Sequence, residues 1–537
     1  MIDFCKKSVA YLYSIFIALV LVDVLIIQQF INQLCKKNFA LPNIVLLIIG
    51  AIFIGAMSYL VIRYYKSFGP RLNALISRPV IGIVSIVLFF VQLYILKNIY
   101  FLTGWDAEVI FSSAKELLNG NDVAEWYYSA YPNNLFLTYV FAFILKINST
   151  LGIYPENGGI FAIIAVQCAL AFLTAYLVYS VCVNITESRI AGLAAYVLYV
   201  AFIGFSPWLV IPYSDSMGLV FPLLTVRLYQ LARASSNRIR ELILYGVIGL
   251  IAFIGFKIKP QIAIIFIAIV LWDMVRLVHT LIKDRKKLVE RVVSLAVCFA
   301  VFISTAVGVS ALLKSSSDKL DPEAEIGVAH FAMMGLNDEY DGIYNSGDVD
   351  FSQSYETRTE RSEANIRVVK ERLSELGFFG TIRHIAEKSL VNFGDGTFAW
   401  VAEGSFFKVV LPMPNDSMSG FLRSFYYTEG NAYDFYITFM QFIWIGVLAL
   451  SLVAGFYALR NKGESGITVC VLMTGLIGLI LFETIFEARA RYLFTYAPIF
   501  VICATVGLFS VLKFIKGKKV EGVKTNDTDS LYSDTML

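Results

Sequence analysis

The sequence predicts an all-α polytopic membrane protein. Of its 537 residues, 58% are hydrophobic and only 16% are charged. The apolar residues recur in runs of about 18–25, which is the length that a helix needs to cross a bilayer. Basic residues cluster between these runs, as they do in the loops that set membrane orientation. We therefore expect about 12 transmembrane helices and one large extracytoplasmic loop.

The predicted spans are uninterrupted apolar runs with polar residues at both ends. They are 8–32, 40–62, 79–101, 158–183, 189–205, 216–232, 241–258, 262–279, 292–313, 434–459, 466–484 and 491–512. The apolar piece 134–147 is short for a full crossing, and we expect it to be re-entrant or interfacial. The alternative is that 134–147 is a 13th crossing and another segment is misread.

Basic residues predict which side each loop faces. Arg and Lys are concentrated in 63–78, 233–240, 280–291 and the tail after 512. The positive-inside rule places these segments, and with them both termini, in the cytoplasm. The first loop (102–133), the second loop (206–215) and the large loop (314–433) then lie outside. The expected location is the plasma membrane.

The same pattern divides the chain into five parts. These are an N-terminal helix pair with a basic loop (1–78), a transmembrane core (79–313), the large loop acting as a lid (314–433), the C-terminal transmembrane helices (434–512) and a cytoplasmic tail (513–537). In the large loop, apolar spacing predicts a helix over 362–376 that stops at Gly377. A second helix over 382–393 has a pattern compatible with lying on the membrane surface. The polar end 517–537 is expected to be disordered.

Charge and cysteine usage exclude several classes. A net charge of +3 is too small to indicate a nucleic-acid partner. None of the seven cysteines falls in the large loop or has metal-ligand spacing, so we expect no disulfide framework. His330 and His384 lack zinc-type spacing, and Asp348-Val-Asp350 is a weak metal motif. We expect no obligatory cofactor, with a metal bound between acidic residues of the first two loops left open.

The first loop combines acidic and aromatic residues at a membrane boundary. Asp106 and Glu108 follow Trp105, and Tyr131 lies near the end of the loop. Aromatic rings stack on sugar faces, and a carboxylate acts as a general base. Asp106 is the predicted catalytic residue, with Glu108, Trp105 and Tyr131 contacting substrate. Alternatively, Asp106 caps a helix that begins at Ala107.

Two further polar clusters end predicted spans. Asp215 closes the second loop, where it would join Asp106 as an acid/base or metal-binding pair or simply cap helix 216–232. Lys257 and Lys259 end a span, either as a clamp on a lipid phosphate or by extending to the headgroups.

The turn between the last two spans is crowded with charge. It contains Glu483, Glu487, Arg489 and Arg491, followed by Tyr492. Four charges at a membrane boundary are costly unless they are paired or line a polar cavity, and arginine binds phosphate with two parallel hydrogen bonds. The alternative is a Glu487–Arg491 pair within a helix, which contributes only a few tenths of a kcal/mol. We favour substrate binding.

These residues together resemble the GT-C superfamily of membrane glycosyltransferases. The resemblance lies in Trp105-Asp106, Tyr131-Pro-Asn-Asn, Tyr213-Ser-Asp215, Lys257-Ile-Lys-Pro260 and Glu487-Ala-Arg-Ala-Arg-Tyr492, in that order. The chain is most similar to bacterial members related to protein O-mannosyltransferases and aminoarabinose transferases. Met333-Met-Gly-Leu-Asn337 and Asp395-Gly-Thr-Phe398 resemble the large loop of a Gram-positive subgroup, and we expect 395–400 to serve the acceptor side.

The resemblance implies an inverting transferase that uses a polyprenyl-phosphate sugar at the outer face. Its acceptor would be a cell-surface glycopolymer such as teichoic acid or wall polysaccharide, or a protein. Asp106 and Asp215 would match the acidic residues of the family's first two outer loops, and Arg489 or Arg491 would contact the donor phosphate. Ala107 departs from the adjacent Asp-Glu pair of protein O-mannosyltransferases. The alternative function is a lipid-linked sugar flippase or transporter.

Overall fold

The computed structural model describes residues 1–29, 39–283, 285–404, 417–461 and 463–521. Within these ranges the chain is helical and contains no β-strand. The first half comprises α1 (Ile2–Leu25), α2 (Asn43–Leu75), α3 (Arg78–Ile99), α4 (Trp105–Leu118), α5 (Glu125–Ala130), α6 (Leu135–Leu151), α7 (Ile160–Thr186), α8 (Arg189–Tyr199), α9 (Ser214–Gly218), α10 (Phe221–Arg233) and α11 (Arg238–Ile258). The second half comprises α12 (Ala263–Lys283), α13 (Arg285–Ser317), α14 (Val328–Gly335), α15 (Ser346–Gln353), α16 (Arg358–Phe393), α17 (Ser417–Tyr426), α18 (Tyr433–Ser451), α19 (Ala454–Arg460), α20 (Glu464–Ile485) and α21 (Ala497–Glu521).

The helices confirm the all-α polytopic class. Among the described residues, 11 helices are long and apolar enough to cross a membrane. Two expected spans are shorter than predicted. The segment 189–205 contains α8 and one π-helical turn, together covering Arg189–Gly204, and 216–232 is divided between α9 and α10. Such interruptions are tolerated in membrane proteins where the freed backbone groups are bonded inside the protein.

Helix α6, which contains the segment 134–147, is one of the 11 by length and composition. Its surroundings nevertheless place both of its ends at the same end of the bundle. In the turn that follows α6, Glu156 forms an ion pair of 2.6 Å with Lys97, and Asn157 donates a hydrogen bond of 2.8 Å to the Tyr100 hydroxyl. Both partners lie where α3 ends and the first loop begins. These contacts agree with an interfacial segment better than with a crossing.

The opposite end of the bundle is held by contacts between distant helices. The Lys6 ammonium donates to the Asn461 carbonyl at 2.5 Å, and Arg276 pairs with Glu464 at the same distance. The Tyr457 hydroxyl donates to the Ile185 carbonyl. This end contains the basic connections that the sequence places in the cytoplasm.

The large loop contains α14 to α17 and packs against the bundle. The two expected helices 362–376 and 382–393 are a single element, α16, interrupted at Gly377, which has a left-handed φ of 59°. In its second half, His384, Lys388 and Leu390 are buried, whereas Ile382 and Ile385 are exposed, so contact of this half with the membrane surface stays a prediction. The Lys388 ammonium donates to the carbonyls of Thr484 and Phe486, at 2.8 and 2.7 Å, beside the last two spans.

Parts of three predicted features lie outside the described residues. The first span was expected to end at residue 32, whereas α1 ends at Leu25 and 30–38, including Cys35, are not described. The other six cysteines are free thiols. The expected disorder of 517–537 is wrong for its first residues, because α21 continues to Glu521, and 522–537 fall outside the description.

Candidate functional site

The candidate site lies at the end of the bundle where four irregular connections between helices meet. The breaks occur after α3, between α8 and α9, at Lys259 between α11 and α12, and between α20 and α21. Side chains satisfy the freed backbone groups. Gln167 donates to the carbonyls of Leu209 and Ile211 at 3.1 and 2.9 Å, and Gln261 donates to the Tyr492 carbonyl. The irregular backbone therefore forms a fixed polar framework.

Asp106 lies in the first turn of α4, and the structure joins it to the second loop. The Tyr213 hydroxyl donates to Oδ2 of Asp106 at 3.0 Å. Burial, followed by the Asp106 carboxylate, raises the pKa of Tyr213 well above its ordinary value, so the phenol keeps its proton and remains a donor. The cap interpretation of Asp106 is wrong, because α4 begins at Trp105 after Gly104 and no side chain caps it.

Trp105 has a strained backbone that directs its ring into the site. Its φ of 55° falls in the left-handed region, which is unusual for a large aromatic residue. The ring lies edge-on to Tyr213, with 4.9 Å between centroids, and the Arg491 guanidinium carbon is 4.7 Å from the Trp105 centroid. Such strain persists where the surroundings impose it, often at functional sites. The geometry is favourable for a cation–π contact.

The two arginines of the last turn are not equivalent. Arg489 donates to Glu487 at 3.0 Å and forms a close ion pair with Glu403. Arg491 has only a long pair with Glu403, at 3.5 Å, and its Nε has no hydrogen-bond partner among the described residues. The helical Glu487–Arg491 pair is wrong, because α20 ends at Ile485 and Glu487 instead accepts from Arg489 and, at 3.2 Å, from the Tyr492 hydroxyl.

Asp215 and Lys259 form a buried ion pair. The Lys259 ammonium donates to Oδ1 of Asp215 and lies 4.4 Å from the centroid of the Tyr492 ring. Burial lowers the pKa of Lys259, and Asp215 opposes that shift. Oδ2 of Asp215 is buried with no hydrogen-bond partner among the described residues. Asp215 therefore does not cap a helix, and Lys259 does not reach the headgroups.

Three predicted substrate residues are placed differently from one another. Tyr131 faces the site: its ring is 5.3 Å from that of Tyr127, and burial, with Asp106 as the next cause, raises its pKa. Glu108 is exposed, because two residues along a helix point to different faces. Lys257 is half-buried in the last turn of α11, within a helix long and apolar enough to cross a membrane.

Sequence reasoning did not name Glu403 as a candidate residue of this site. Glu403 lies in the large loop, three residues after Trp400. It pairs with both Arg489 and Arg491 of the last turn. The sequence signal available for Glu403 was a single acidic residue in the segment Trp400-Val-Ala-Glu-Gly404. Glu483 is also buried, and neither of its carboxylate oxygens has a hydrogen-bond partner among the described residues. The site is thus surrounded by more carboxylates than the sequence suggested.

Other candidates stabilise the fold. Asp348 is bonded to Arg372 at 2.7 Å and to Asn337 at 3.0 Å, which lowers its pKa against the opposing effect of burial. Asp395 accepts hydrogen bonds from the backbone and hydroxyl of Thr397 at 2.8 and 2.6 Å, within a turn beneath the site. The Trp208 indole donates to the Thr397 carbonyl at 3.1 Å. Whether 395–400 touch an acceptor stays a prediction.

Comparison with known proteins places the chain in one family. A family model described as "conserved hypothetical integral membrane protein" matches residues 1–510. No curated protein matches the chain.

Proposed function

Since the chain belongs to the family of conserved hypothetical integral membrane proteins, we propose that it is a membrane glycosyltransferase of GT-C type. It would transfer a sugar from a polyprenyl-phosphate donor to a cell-surface acceptor, which is teichoic acid, wall polysaccharide or protein. The site end of the bundle would face outward at the plasma membrane, with both termini in the cytoplasm.

One observation carries the proposal: a carboxylate and an arginine whose ion-pair partner Glu403 is 3.5 Å away share a single tyrosine. Tyr213 donates to Asp106 through its hydroxyl, while the Arg491 guanidinium carbon lies 5.3 Å from the centroid of the same ring. A proton acceptor and a phosphate-binding cation are thus held side by side by one rigid group. Transfer from a sugar phosphate to a hydroxyl needs this pair of functions.

The proposed transfer is a single displacement of the kind that the GT-C resemblance implies. The acceptor oxygen attacks the anomeric carbon while the bond from that carbon to the phosphate oxygen breaks, and configuration inverts. The acceptor proton passes to Asp106, and the electron pair leaves on the polyprenyl phosphate. Arg491 stabilises the developing negative charge, with Lys259 behind it. No cofactor enters this step.

Carboxylates of the protein partly neutralise the lysine and arginine side chains of the site before the donor binds. This suits a site in which a phosphate can replace a carboxylate as the partner of a cation. Lys259 is paired with Asp215, and Arg489 with Glu403 and Glu487. Arg491 has the weakest protein partner, at 3.5 Å. A phosphate would therefore bind Arg491 first, with two parallel hydrogen bonds from the guanidinium. The aromatic rings of Trp105 and Tyr131 would line the sugar.

The test uses purified full-length protein in liposomes with labelled polyprenyl-phosphate sugars and a crude wall-polymer acceptor. Asp106→Asn keeps the shape of the side chain and removes the base, so we expect acceptor labelling to fall by about 100-fold or more. Glu116→Gln is the matched control, since this carboxylate of the same helix is exposed and accepts a hydrogen bond from Asn121 at 2.7 Å. It is expected to keep wild-type labelling.

Three outcomes contradict parts of the proposal. Full labelling by Asp106→Asn would remove Asp106 as the base. Equal losses in both variants would separate the activity from the Tyr213–Asp106 contact. Absence of labelling with every donor, together with movement of labelled lipid between leaflets, would replace the transferase by the flippase.

A further inference from the structure

A second cluster of polar side chains lies in the large loop, apart from Asp106 and Arg491. Asp338, His384 and Glu387 each offer one ligand atom, and these atoms lie within 4.8 Å of one another. His384 and Glu387 are one turn apart on α16, while Asp338 comes from the turn after α14. The sequence did not reveal this cluster, because Asp338 is distant in the chain.

The histidine presents an unsatisfied nitrogen to a carboxylate. Nε2 of His384 lies 2.9 Å from the Gly335 carbonyl, so Nε2 carries the proton and donates. Nδ1 is then an acceptor. It lies 3.2 Å from Oδ1 of Asp338, and neither atom has a hydrogen-bond partner among the described residues. His384 is fully buried. Two facing acceptors at this distance need a cation between them.

The geometry matches a metal-ligand pair. Two ligand atoms about 2.0–2.1 Å from one metal ion, at tetrahedral or octahedral angles, are about 2.8–3.4 Å apart. The backbone carbonyl on the other imidazole nitrogen is the partner that metal-bound histidines ordinarily have, because it fixes the tautomer. An imidazole with two carboxylates suits zinc rather than calcium, which prefers six to eight oxygen ligands.

The charged side chains around the cluster have a net negative charge, which favours a bound cation. Asp338, Glu387 and the neighbouring Asp341 bring three negative charges, and Arg383 and Lys388 bring two positive ones. Arg383 is directed to the other carboxylate oxygen, Oδ2 of Asp338, at 2.5 Å. A second guanidinium nitrogen of Arg383 lies 3.6 Å from Oε1 of Glu387, so Arg383 partly neutralises both carboxylates and leaves Oδ1 of Asp338 facing His384.

We propose that Asp338, His384 and Glu387 bind a divalent zinc-type ion that fastens the large loop to the last turn of the bundle. The cluster lies directly behind that turn. The Gly342 carbonyl, just after the Asp338 turn, accepts from the Ala488 backbone at 2.8 Å. A bound ion would cross-link this turn to α16 and hold in place the backbone that carries Arg489 and Arg491. The site is structural and does not depend on the proposed transfer reaction.

The test measures bound metal in the full-length protein, purified in detergent with its affinity tag removed. After chelation and dialysis against zinc chloride, we expect about one zinc per chain by mass spectrometry of the metal. Asp338→Asn and His384→Gln are each expected to weaken zinc binding by at least about 100-fold. His330→Gln is the control: it is another buried histidine of the same loop, whose Nδ1 lies 2.7 Å from the Ser352 hydroxyl.

A second variant, His384→Cys, tests the proposal if His384→Gln fails to fold. In His384→Cys loaded with cobalt, a thiolate ligand gives a sulfur-to-cobalt charge-transfer band that wild type lacks, and this band would support the site. Its absence from folded, cobalt-treated His384→Cys would overturn the proposal. Wild type without zinc, or His384→Gln with wild-type zinc, would do the same, because a proton rather than a metal would then join His384 to Asp338.

Discussion

The hydroxyl of Tyr213 donates to Oδ2 of Asp106 at 3.0 Å, across more than a hundred residues of chain. The same ring lies against the guanidinium of Arg491. The hydroxyl and the ring of Tyr213 therefore contact two different groups. In the proposed reaction, Asp106 would accept a proton and Arg491 would bind phosphate. Substitutions that separate hydroxyl from ring distinguish these roles.

Tyr213→Phe removes the hydroxyl and keeps the ring. We expect kcat to fall about 10-fold, because a hydrogen bond to a charged group contributes about 1.5–3 kcal/mol. KM for the donor should be unchanged, since Arg491 keeps its aromatic partner. Steady-state kinetics in liposomes measures both values. Tyr196→Phe is the control, because its hydroxyl is also buried but bonded to Ser85 at 3.0 Å. A rise in donor KM with unchanged kcat would contradict the positioning role.

Substitutions of Arg491 and Arg489 test which of the two guanidinium groups binds the donor phosphate. Arg491→Gln should weaken binding of the polyprenyl-phosphate product and lower kcat/KM by about 100-fold, the usual effect of losing one charge-stabilising donor. Arg489→Gln leaves Glu403 and Glu487 without their closest partner and should mainly lower the thermal midpoint. Product binding is read from tryptophan fluorescence, since Trp105 touches Arg491. Equal losses of product affinity in both variants would show that the arginines act together.

The sequence was sufficient for features that depend on local pattern. Apolar runs predicted the helical, membrane-spanning class. The order of charged residues singled out Asp106, Asp215, Lys259 and Arg491 as candidates, and their roles stay predictions. The short segment 134–147 was predicted to be re-entrant or interfacial. Helix α6 is long and apolar enough to cross, but the Lys97–Glu156 and Asn157–Tyr100 contacts hold the turn after it beside the end of α3.

The sequence was insufficient where partners are distant along the chain. The Asp215–Lys259 pair depends on two helix breaks that meet, and Glu403 reaches the arginines only because the large loop folds back. The charges of helix 382–393 gave no sign that the Lys388 ammonium would be buried against two backbone carbonyls. The spacing of apolar and charged residues shows which face of a helix is polar. It says little about whether another segment, distant along the chain, packs over that face.

Gly335 tests the close contact between the large loop and the last turn. A Cβ on Gly335 would lie 2.6 Å from the backbone of Phe486, which cannot move aside as a side chain would. Gly335→Ala should therefore destabilise the protein by about 1–3 kcal/mol and lower transfer activity by displacing the turn. Gly308→Ala is the control, because a Cβ there meets nothing within 4 Å. Equal thermal midpoints for the two variants in detergent would show that the turn tolerates the displacement.

His330 should make the large loop sensitive to mild acid. Burial lowers its pKa from 6.5 to about 4, with Asp348 opposing the shift. Below pH 6.5 the unfolded chain therefore binds a proton that the folded chain does not, so stability is complete above pH 6.5 and falls as the pH drops towards 4. Between pH 7 and pH 5 this group alone should cost about 2 kcal/mol. The thermal midpoint of wild type should fall more over this interval than that of His330→Gln, which cannot titrate. A pH dependence of the same size in both proteins would mean that the imidazole is already charged in the folded state or that other groups dominate the acid response.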